Sequence, residues 1–319
     1  MTDRLGYRIV GPCTGERRLV DWPAAFAAYV SLDDRAETHR EAYLSAFTFR
    51  DDFRLYLDAN RSTKGFDGPC TAEFIWWDID RGDIETARRE TARLALHIGD
   101  RFGLADADLL IWFSGSKGFH IGLPTIWKPP PSMTFNRVAR RFAEGLAAAV
   151  GVAIDSGVYD KVRAFRCPNS RHGKTGLHKR ALSLDELVGL SAERIQRLAA
   201  SPQPFDLPTP TGDNGQAAVD WQAAADGVNA EAVAVADRRT SGQAAKLNRA
   251  TLAFIRDGAT PGDRHRALFS AAANLGEFGC PADLAHELLT AAGLDSGLSP
   301  SETRRQIECG LNHQHKGNI

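Results

Sequence analysis

The sequence predicts an α+β fold followed by a small all-α domain, and three observations support this prediction. Short apolar runs rich in β-forming residues, at 74–77, 109–113 and 119–123, predict buried strands. Stretches with an apolar period of about 3.6 residues lie between these runs and predict amphipathic helices. After a proline-rich stretch, only helical patterns follow. Because the order is strand, helix, hairpin, helix and strand, we expect a mixed or antiparallel sheet with helices on one face.

Each element of this core has a local signal in the sequence. Apolar runs of alternating or β-branched residues mark the strands, while capping residues and glycines mark the helix ends. The predicted elements are a strand at 7–10, helices at 20–32, up to about Asn60, from Asp83 to Gly103 and from about Thr134 to Gly151, and strands at 74–80, 109–113, 119–123 and 152–155.

The chain divides at a region rich in Pro, Ala, Gly and Asp. Residues 1–200 form the predicted core, 201–245 form a linker without a clear period, and 246–319 form a helical module. The last helix of the module begins with a capping box at Ser299–Glu302. The module is either a packing element or, through its arginines, a surface for template phosphates. The sequence has no internal repeats and no Walker A pattern, so it predicts no helicase motor in this chain.

Composition indicates a soluble intracellular enzyme. With 319 residues, 43% of them hydrophobic, the chain can build a full core and more than one domain. The formal net charge of −1 means that any affinity for nucleic acid has to come from local basic patches. The five cysteines are scattered without a C-x-x-C pair, which excludes a disulfide framework and a standard zinc ribbon. We find no signal peptide and no apolar stretch that could span a membrane, and we expect a cytoplasmic protein.

The predicted strand at 74–80 ends in two acids. Side chains alternate along a strand, so Asp78 and Asp80 project from the same face. Two carboxylates at this spacing repel each other near a core unless a cation lies between them, and Mg²⁺ prefers such oxygen ligands. The alternative is an acid pair in solvent at the end of a strand. The apolar run before the pair favours a metal site.

A loop with two glycines joins the next two predicted strands. Gly115 and Gly118 allow the backbone to approach an anion closely, so that N–H groups of the loop can point at a phosphate. Hydroxyl groups and a positive charge in the loop add further donors. The candidate phosphate-binding side chains are Ser114, Ser116 and Lys117.

A histidine follows this loop on the returning strand. Phe119 and Ile121 take the apolar face of the strand, which leaves His120 on the opposite face. A lone histidine on a strand is more often a structural residue. Because this one follows a loop of the phosphate-binding type, we predict a functional role.

The third segment combines an acid with a basic tract. Asp155 ends the apolar run at 152–155, and no Asp or Glu occurs between 161 and 180. Such a tract is either a solvated face or a binding surface. Apolar residues interrupt it and an acid-tipped strand precedes it, so we favour a polyphosphate or a nucleic-acid backbone as the counter-charge. The cations of the tract are Lys161, Arg163, Arg166, Arg171, Lys174, Lys179 and Arg180, and His172 and His178 lie within it.

The order of D-x-D, a small residue-x-His motif and an acid followed by basic residues resembles the archaeo-eukaryotic primase superfamily. The stretch 155–166, D-S-G-V-Y followed by R-A-F-R, resembles the primase-polymerase branch, and S-R-H-G-K-T-G at 170–176 resembles a run of the primase small subunit. The loop S-G-S-K-G-F-H is also similar to the polymerase domain of bacterial end-joining ligases, but the third segment fits the primase-polymerases better. The motifs cover residues 70–180.

The resemblance implies a fold and a set of roles. It implies a primase-type catalytic core over 1–200 with a palm-like, RRM-like subdomain, and the module is similar to the helical domains that follow primase cores in plasmid and phage replication proteins. Asp78, Asp80 and Asp155 are implied as catalytic ligands of two divalent metals, Mg²⁺ or Mn²⁺. The implied nucleotide-binding residues are Ser114, Ser116, Lys117, His120, Arg166 and His172; some relatives have an arginine where Ser116 lies. The basic tract adds Lys161, Arg163, Arg171 and Lys174 as nucleic-acid contacts.

The sequence therefore predicts a template-dependent DNA primase or primase-polymerase that makes primers from nucleoside triphosphates. Its expected partners are single-stranded DNA, NTPs or dNTPs, and a separate replicative helicase. Two alternatives stay open: a repair or gap-filling polymerase that only extends primers, and a non-catalytic replication initiator that binds DNA. The intact set of Asp78, Asp80, Asp155 and His120 argues against the second alternative.

Overall fold

The computed structural model describes residues 4–209, 214–240, 247–260 and 262–313 of the chain. These residues form two antiparallel β-sheets and eleven α-helices, so the predicted α+β class is confirmed. The chain divides into two units, Met1–Glu231 and Ala232–Ile319, and each has a hydrophobic core of its own. Within the described residues, no helix combines the length and the apolar character needed to cross a membrane.

The first unit carries all eight described strands. The helix α7 begins in this unit, and the boundary between the two units falls within it, after Glu231. The elements in chain order are β1 (Leu5–Val10), β2 (Arg18–Asp21), α1 (Trp22–Ser31), β3 (Ala42–Ser45), α2 (Asp51–Asn60), β4 (Phe74–Asp80), α3 (Ile84–Phe102), β5 (Leu110–Phe113), β6 (Gly118–Pro124), α4 (Phe135–Ala149), β7 (Ala164–Arg166), β8 (Arg180–Leu182), α5 (Leu184–Gly189), α6 (Ala192–Leu198) and α7 (Gly215–Thr240).

The strands form two four-stranded sheets. One has the order β2-β1-β3-β7 and the other the order β4-β6-β5-β8. Every neighbouring pair of strands is antiparallel. We expected either a mixed or an antiparallel sheet, and both sheets of the described residues are antiparallel. The short β5–β6 connection accounts for part of this, since a parallel pair would need a long crossover instead.

The second sheet has two different faces. On one face, Ile75, Trp77 and Ile79 of β4 are buried against α3 and α4, and the Trp77 indole donates a hydrogen bond to the Ala143 carbonyl of α4 at 3.0 Å. The prediction of helices on one face is therefore confirmed for this sheet. Because side chains alternate along β4, the acids at its end emerge on the opposite face.

The predicted helices beside this sheet are confirmed. The Asp83 carboxylate accepts the N–H groups of Glu85 and Thr86 at the start of α3, and Gly103 ends the helix at a φ of 61°. A left-handed residue after a helix is the position that glycine occupies most readily. The helix α4 follows Thr134 and ends two residues before Gly151.

The N-terminal elements agree in part with the sequence. The strand β1 and the helix α1 lie where the patterns predict them. The predicted helical stretch up to Asn60 is shorter than expected, since α2 begins at Asp51 and the strand β3 precedes it. Residues 42–45 become a strand because β1 and β7 pair with them on both sides. This is a long-range cause that local propensity does not contain.

The predicted strand at 152–155 is wrong. These residues have no regular secondary structure and lead into a 3₁₀ turn at Ser156–Tyr159. Val152 is buried in the core of the first unit, which explains the apolar character of the run without a strand. An apolar run this short cannot by itself distinguish a buried strand from a buried loop.

The predicted linker at 201–245 is wrong for most of its length, because the 26-residue helix α7 occupies 215–240. The segment 201–209 has no helix or strand, as its prolines predict. Trp221 of α7 packs against Trp127, Phe135 and Phe142, with ring centroids 5.8, 4.9 and 5.8 Å away. The start of α7 is therefore part of the first core, whereas 210–213 and 241–246 lie outside the described residues.

The second unit contains four further helices, in agreement with the helical module predicted for 246–319. Ser299 and Glu302 form the predicted capping box at the start of the last helix, each accepting a hydrogen bond from the other's backbone N–H. The third of these helices buries Leu289, while Leu284 and Leu288 are exposed. The helices are α8 (Arg249–Asp257), α9 (Arg264–Glu277), α10 (Ala282–Asp295) and α11 (Pro300–Leu311).

Candidate functional site

Three side chains lie in one row across the second sheet. His120 of β6 is paired with Asp78 of β4 on one side and with Trp112 of β5 on the other. Residues paired across antiparallel strands point to the same face, so this row lies on the face opposite α3 and α4. The sheet thus places an acid, an imidazole and an indole next to one another.

Gly118 lies directly opposite Asp80 in the register of β4 and β6. A methyl group on Gly118 would lie 1.8 Å from Asp80 Oδ1 and 2.7 Å from the carbonyl oxygen of Ile79. A contact of this kind is not possible, so the glycine is required by the acid that lies across it. The sequence predicts a close approach of an anion at this glycine, and in the structure the anion is the chain's own Asp80 carboxylate.

The third acid reaches the same place without a strand. The Asp155 N–H donates to the Asp78 carbonyl at 2.9 Å, and Asp155 Oδ1 accepts the N–H of Gly157 at 2.8 Å. From the 3₁₀ turn that follows, the Tyr159 hydroxyl donates to the Trp76 carbonyl and ties the turn to β4. Backbone contacts therefore bring the third predicted acid beside the first.

Asp78 combines burial with a missing partner. Its Oδ1 is shielded from solvent and has no hydrogen-bond partner among the described residues, although His120 Nε2 lies 3.5 Å away. Burial, and then the negative charges of Asp80 and Asp155, raise the pKa of the Asp78 carboxyl from its usual 3.8 to about 7. A buried carboxylate oxygen without a partner is costly, and a cation beside it would remove that cost.

The donor chemistry of the three acids fits the predicted metals. They supply only oxygen atoms, which Mg²⁺ and Mn²⁺ prefer, and the unpartnered Asp78 Oδ1 fits a cation. Among the described side chains, however, no group of three or more His, Cys, Asp or Glu residues is arranged to hold a metal ion. Asp155 also faces a guanidinium, since Arg163 Nη2 lies 3.5 Å from Asp155 Oδ2. The ligand set therefore stays a prediction.

The loop at 114–118 is a tight turn that packs against the basic tract. The Ser114 N–H donates to the Gly118 carbonyl at 2.9 Å, and the Gly118 N–H donates to Ser114 Oγ at 3.3 Å. Gly115 has a φ of 90°, and the Thr175 hydroxyl donates to its carbonyl at 2.5 Å. Ser114 therefore shapes the turn, and its role as a phosphate-binding residue stays a prediction. The other two candidates of the loop, Ser116 and Lys117, are half-buried and exposed, respectively.

His120 is buried, and its environment makes it neutral. Its ring packs against Phe165 with centroids 4.6 Å apart, and its Nδ1 has no hydrogen-bond partner among the described residues. Burial, and then the positive charges of Lys179 and Arg166, hold the pKa of His120 well below its usual 6.5. A neutral imidazole can donate one hydrogen bond to a phosphate, but it cannot supply a positive charge.

Arg166 lies at the centre of a polar cluster. Its Nη2 donates to Tyr43 Oη at 3.0 Å and lies 3.4 Å from Glu41 Oε1, and its guanidinium stacks 4.9 Å from the Tyr43 ring centroid. Glu41 Oε1 also accepts the N–H of Gly173 at 3.1 Å. Burial acts to raise the pKa of Glu41, but the Gly173 hydrogen bond and the Arg166 charge outweigh it, so this pKa is lowered. The charged carboxylate thus fixes both the guanidinium and the loop at 173.

His172 is held in one tautomer. Its Nδ1 accepts the backbone N–H groups of Lys174 at 3.2 Å and Thr175 at 3.3 Å. Burial, and then the charge of Arg166, lower the pKa of His172, while Asp80 acts in the opposite direction. The neutral ring therefore carries its proton on Nε2, where it can donate a hydrogen bond. A methyl group on Gly115 would lie 3.2 Å from His172 Cβ, and Gly118 of the same turn lies opposite Asp80. The basic tract and the acids therefore meet at this turn.

Lys161 has a structural task. Its ammonium donates to the carbonyl of Asp67 at 3.1 Å, to Asp67 Oδ1 at 2.9 Å and to the carbonyl of Gly68 at 2.9 Å. These three bonds use all three N–H donors of a lysine. Its predicted contact with nucleic acid would require at least one of them to break.

The other predicted nucleic-acid contacts lie at the surface. Arg171 is exposed, and its Nε donates to the Gly176 carbonyl at 3.1 Å. Lys174 is exposed at the tip of the same loop. Arg163 faces Asp155, as described above. The structure therefore places Arg163 beside one of the acids, and Arg171 and Lys174 at the surface of the loop that carries His172.

Sequence reasoning missed two residues of this site, Glu41 and Tyr43, and it did not recognise the buried position of a third, Lys179. Glu41 and Tyr43 organise Arg166, and no local motif marks them; only their two-residue spacing at β3 indicates a shared face. Lys179 was included only as one cation of the basic tract, and the structure shows that its side chain is buried. A count of charges cannot separate a buried lysine from exposed ones.

Comparisons with models of protein families, with curated proteins and with solved structures found no match to this chain.

Proposed function

We propose that this protein is a template-dependent nucleotidyltransferase that makes primers on single-stranded DNA. The observation that carries the proposal is the meeting of three aspartates with a basic loop in one site. Asp155 is hydrogen-bonded to the backbone of Asp78. The turn at 114–118 joins the acids to the basic loop, since Gly118 lies opposite Asp80 and a methyl group on Gly115 would lie 3.2 Å from His172 Cβ. Acids that can hold cations and a set of phosphate-binding donors are the two parts that phosphoryl transfer requires.

The acids and the basic loop divide the work in this proposal. Asp78, Asp80 and Asp155 would hold two divalent cations, which lower the pKa of an attacking hydroxyl and neutralise charge on the leaving pyrophosphate. Arg166, oriented by Glu41, binds the triphosphate as a planar donor. His172 donates from Nε2, and exposed Lys117 and Lys174 add positive charge. His120 acts as a neutral donor or as a packing residue.

The second sheet also supports the proposal. In this proposal, the antiparallel sheet with helices on one face and acids on the other corresponds to the palm-like, RRM-like arrangement that the sequence resemblance implies. In this proposal residues 1–231 are the primase-type catalytic unit, and the helical unit contacts the template or the initiating nucleotide. We expect the protein to act in the cytoplasm, with nucleoside triphosphates as substrates and a separate replicative helicase as partner.

One assay tests the proposed function. The full-length protein is incubated with Mg²⁺ or Mn²⁺ and labelled NTPs or dNTPs, on single-stranded DNA with and without a primer. Labelled product on the unprimed template is the expected result. Product on the primed template alone would favour the extending polymerase, and DNA binding without any product would favour the non-catalytic initiator.

Gly118→Ala should disable the site and also lower the melting temperature, because its methyl group would meet both the Asp80 carboxylate and the backbone carbonyl of Ile79. The added methyl group forces the Asp80 carboxylate away from its position, and a displacement of about 1 Å in a catalytic group can lower the rate about 100-fold. The matched control is Gly82→Ala, because a methyl group on Gly82 meets nothing within 4 Å. Incorporation rates and thermal unfolding of both variants are compared with wild type. Full activity of Gly118→Ala would show that the position of Asp80 does not matter.

A further inference from the structure

Lys179 is a lysine buried between the two sheets of the first unit. Its side chain is almost completely shielded, with 1% of the residue exposed. The ammonium lies 4.2 Å from the ring centroid of Trp112, 4.2 Å from that of Phe165 and 5.9 Å from that of Trp76. Its hydrogen bond is to the carbonyl oxygen of Arg166 at 2.9 Å.

This environment is a poor place for an ammonium group if stability alone is considered. Aromatic faces attract a cation, but they replace only part of the hydration that burial removes. Burial accordingly lowers the pKa of Lys179 well below its usual value, while Cys167 and Asp78 act in the opposite direction. An unbranched apolar side chain of similar length would fill the same space without this desolvation cost. The lysine therefore provides something other than packing.

The groups that Lys179 touches belong to the proposed triphosphate site. Phe165 and Arg166 form the end of β7, and the Phe165 ring also packs against His120. The backbone of Lys179 donates to the Ser170 carbonyl at 3.0 Å and accepts the Asn169 N–H at 2.9 Å. These bonds close the base of the loop that carries His172. One residue thus connects the strand that carries Arg166 with the loop that carries His172.

We propose that Lys179 is a positioning residue, which holds the backbone of Arg166 through its ammonium so that the guanidinium is correctly placed for a nucleoside triphosphate. The inference rests on the proposed function, since it assigns the triphosphate to Arg166. Lys179 itself contacts no substrate, because its ammonium is enclosed by the three rings. Its effect is carried by the carbonyl of Arg166 and by the packing of Phe165.

A methionine at position 179 separates this role from a structural one. Lys179→Met keeps the length and most of the volume of the side chain and removes the charge and the hydrogen bond. Replacing a buried charge by an apolar group of similar shape is often neutral or stabilising, so thermal stability should stay the same or rise. Affinity for the triphosphate should fall about tenfold, the size expected when one hydrogen-bonded support is lost. A structural residue would instead lose stability and function together.

A double-mutant cycle in the full-length protein makes the test specific. The dissociation constant of dATP with Mg²⁺ is measured for wild type, Lys179→Met, Arg166→Ala and the double variant, with inorganic triphosphate as a second probe. Arg166→Ala should weaken binding by roughly 10- to 100-fold, the effect of losing a charged hydrogen-bond donor. If Lys179 acts through Arg166, the double variant should bind no more weakly than Arg166→Ala alone. Lys64→Met, at an exposed position remote from these residues in sequence, is the control and should bind as wild type does.

The outcomes decide between the inference and its premise. Equal affinity of Lys179→Met and wild type would overturn the inference, and so would losses that add in the double variant or a fall in melting temperature that parallels the loss of affinity. A wild-type protein that binds neither dATP nor triphosphate would overturn the proposed function instead. Weaker binding at unchanged or higher stability, without additivity, supports the positioning role.

Discussion

Asp78→Asn should abolish nucleotide incorporation and at the same time make the metal-free protein more stable at neutral pH. The loss of activity follows from the removal of the most buried of the three predicted metal ligands. The gain in stability follows from the position of the Asp78 carboxyl, which is shielded from solvent and lies close to Asp80 and Asp155. Asparagine has nearly the same shape but carries no charge, so it removes both the repulsion and the desolvation cost.

The raised pKa of Asp78 also predicts how the stability of the metal-free protein changes with pH. The pKa of Asp78 is about 7 in the folded protein and about 3.8 when the carboxyl is in solvent, so the fold favours the protonated form. This contribution to stability is fully present below about pH 4 and is lost as the pH rises through about 7. The pKa difference corresponds to at most about 4 kcal/mol over the whole window, at about 1.4 kcal/mol per pH unit.

Urea unfolding in EDTA at several pH values between 4 and 8 measures the effect. The free energy of unfolding of wild type should fall relative to that of Asp78→Asn across this window. Asp58→Asn is the control, since Asp58 is exposed and is not among the charges that raise the pKa of Asp78. Wild-type turnover by a folded Asp78→Asn variant would contradict the metal assignment. Parallel pH profiles of wild type and variant would contradict the burial of the charge.

Ending the chain at residue 210 should destabilise the first unit severely, whereas ending it at residue 240 should preserve that unit. The shorter fragment lacks Trp221, which packs against three aromatic rings, and also the buried side chains of Ala217, Ala224 and Val228. Truncation of one buried tryptophan costs about 3–5 kcal/mol, and domains have only about 5–15 kcal/mol of stability in total. Thermal unfolding of the two fragments, with Trp221→Ala in the full chain as a third sample, tests this.

The fragment that ends at 240 also tests the role of the helical unit. Formation of the first dinucleotide requires two nucleotides and a template without the help of a primer, so it needs the most binding surface. The helical unit offers exposed arginines, among them Arg304 and Arg305. We expect the 1–240 fragment to extend a primer at a rate near that of wild type and to lose synthesis on unprimed DNA. Equal survival of both activities would make the helical unit a packing or docking element.

Several parts of the site could be predicted because their signals are local. β4 was predicted with its observed bounds, since an apolar run ending in acids leaves little choice of boundary. The turn at 114–118 follows from its glycines, and α3 follows from Asp83 at one end and Gly103 at the other. Each of these features depends on residues within a few positions of one another, and such interactions are written in the sequence pattern itself.

Other parts depend on contacts between residues far apart in the chain. Asp155 lies beside Asp78 through a backbone hydrogen bond, although the strand predicted for it does not form. The polar cluster joins Glu41 to Arg166 across more than a hundred residues, and no short motif records that distance. For the same reason the region of α7 has linker composition but a helical structure, since the aromatic partners of Trp221 lie far from it in the sequence.

The sequence by itself determined the α+β class of the described fold, the order of its acids, glycines and basic residues, and the ends of its best-capped helices, because these depend on local periodicity and capping. Only the tertiary structure decided which charges are buried. It buried Lys179 between two sheets, shielded Oδ1 of the half-buried Asp78 from solvent, left Lys117 and Lys174 exposed, and made His120 neutral. Burial and the neighbouring charges set the protonation of a side chain, and both come from residues that the chain brings together only on folding.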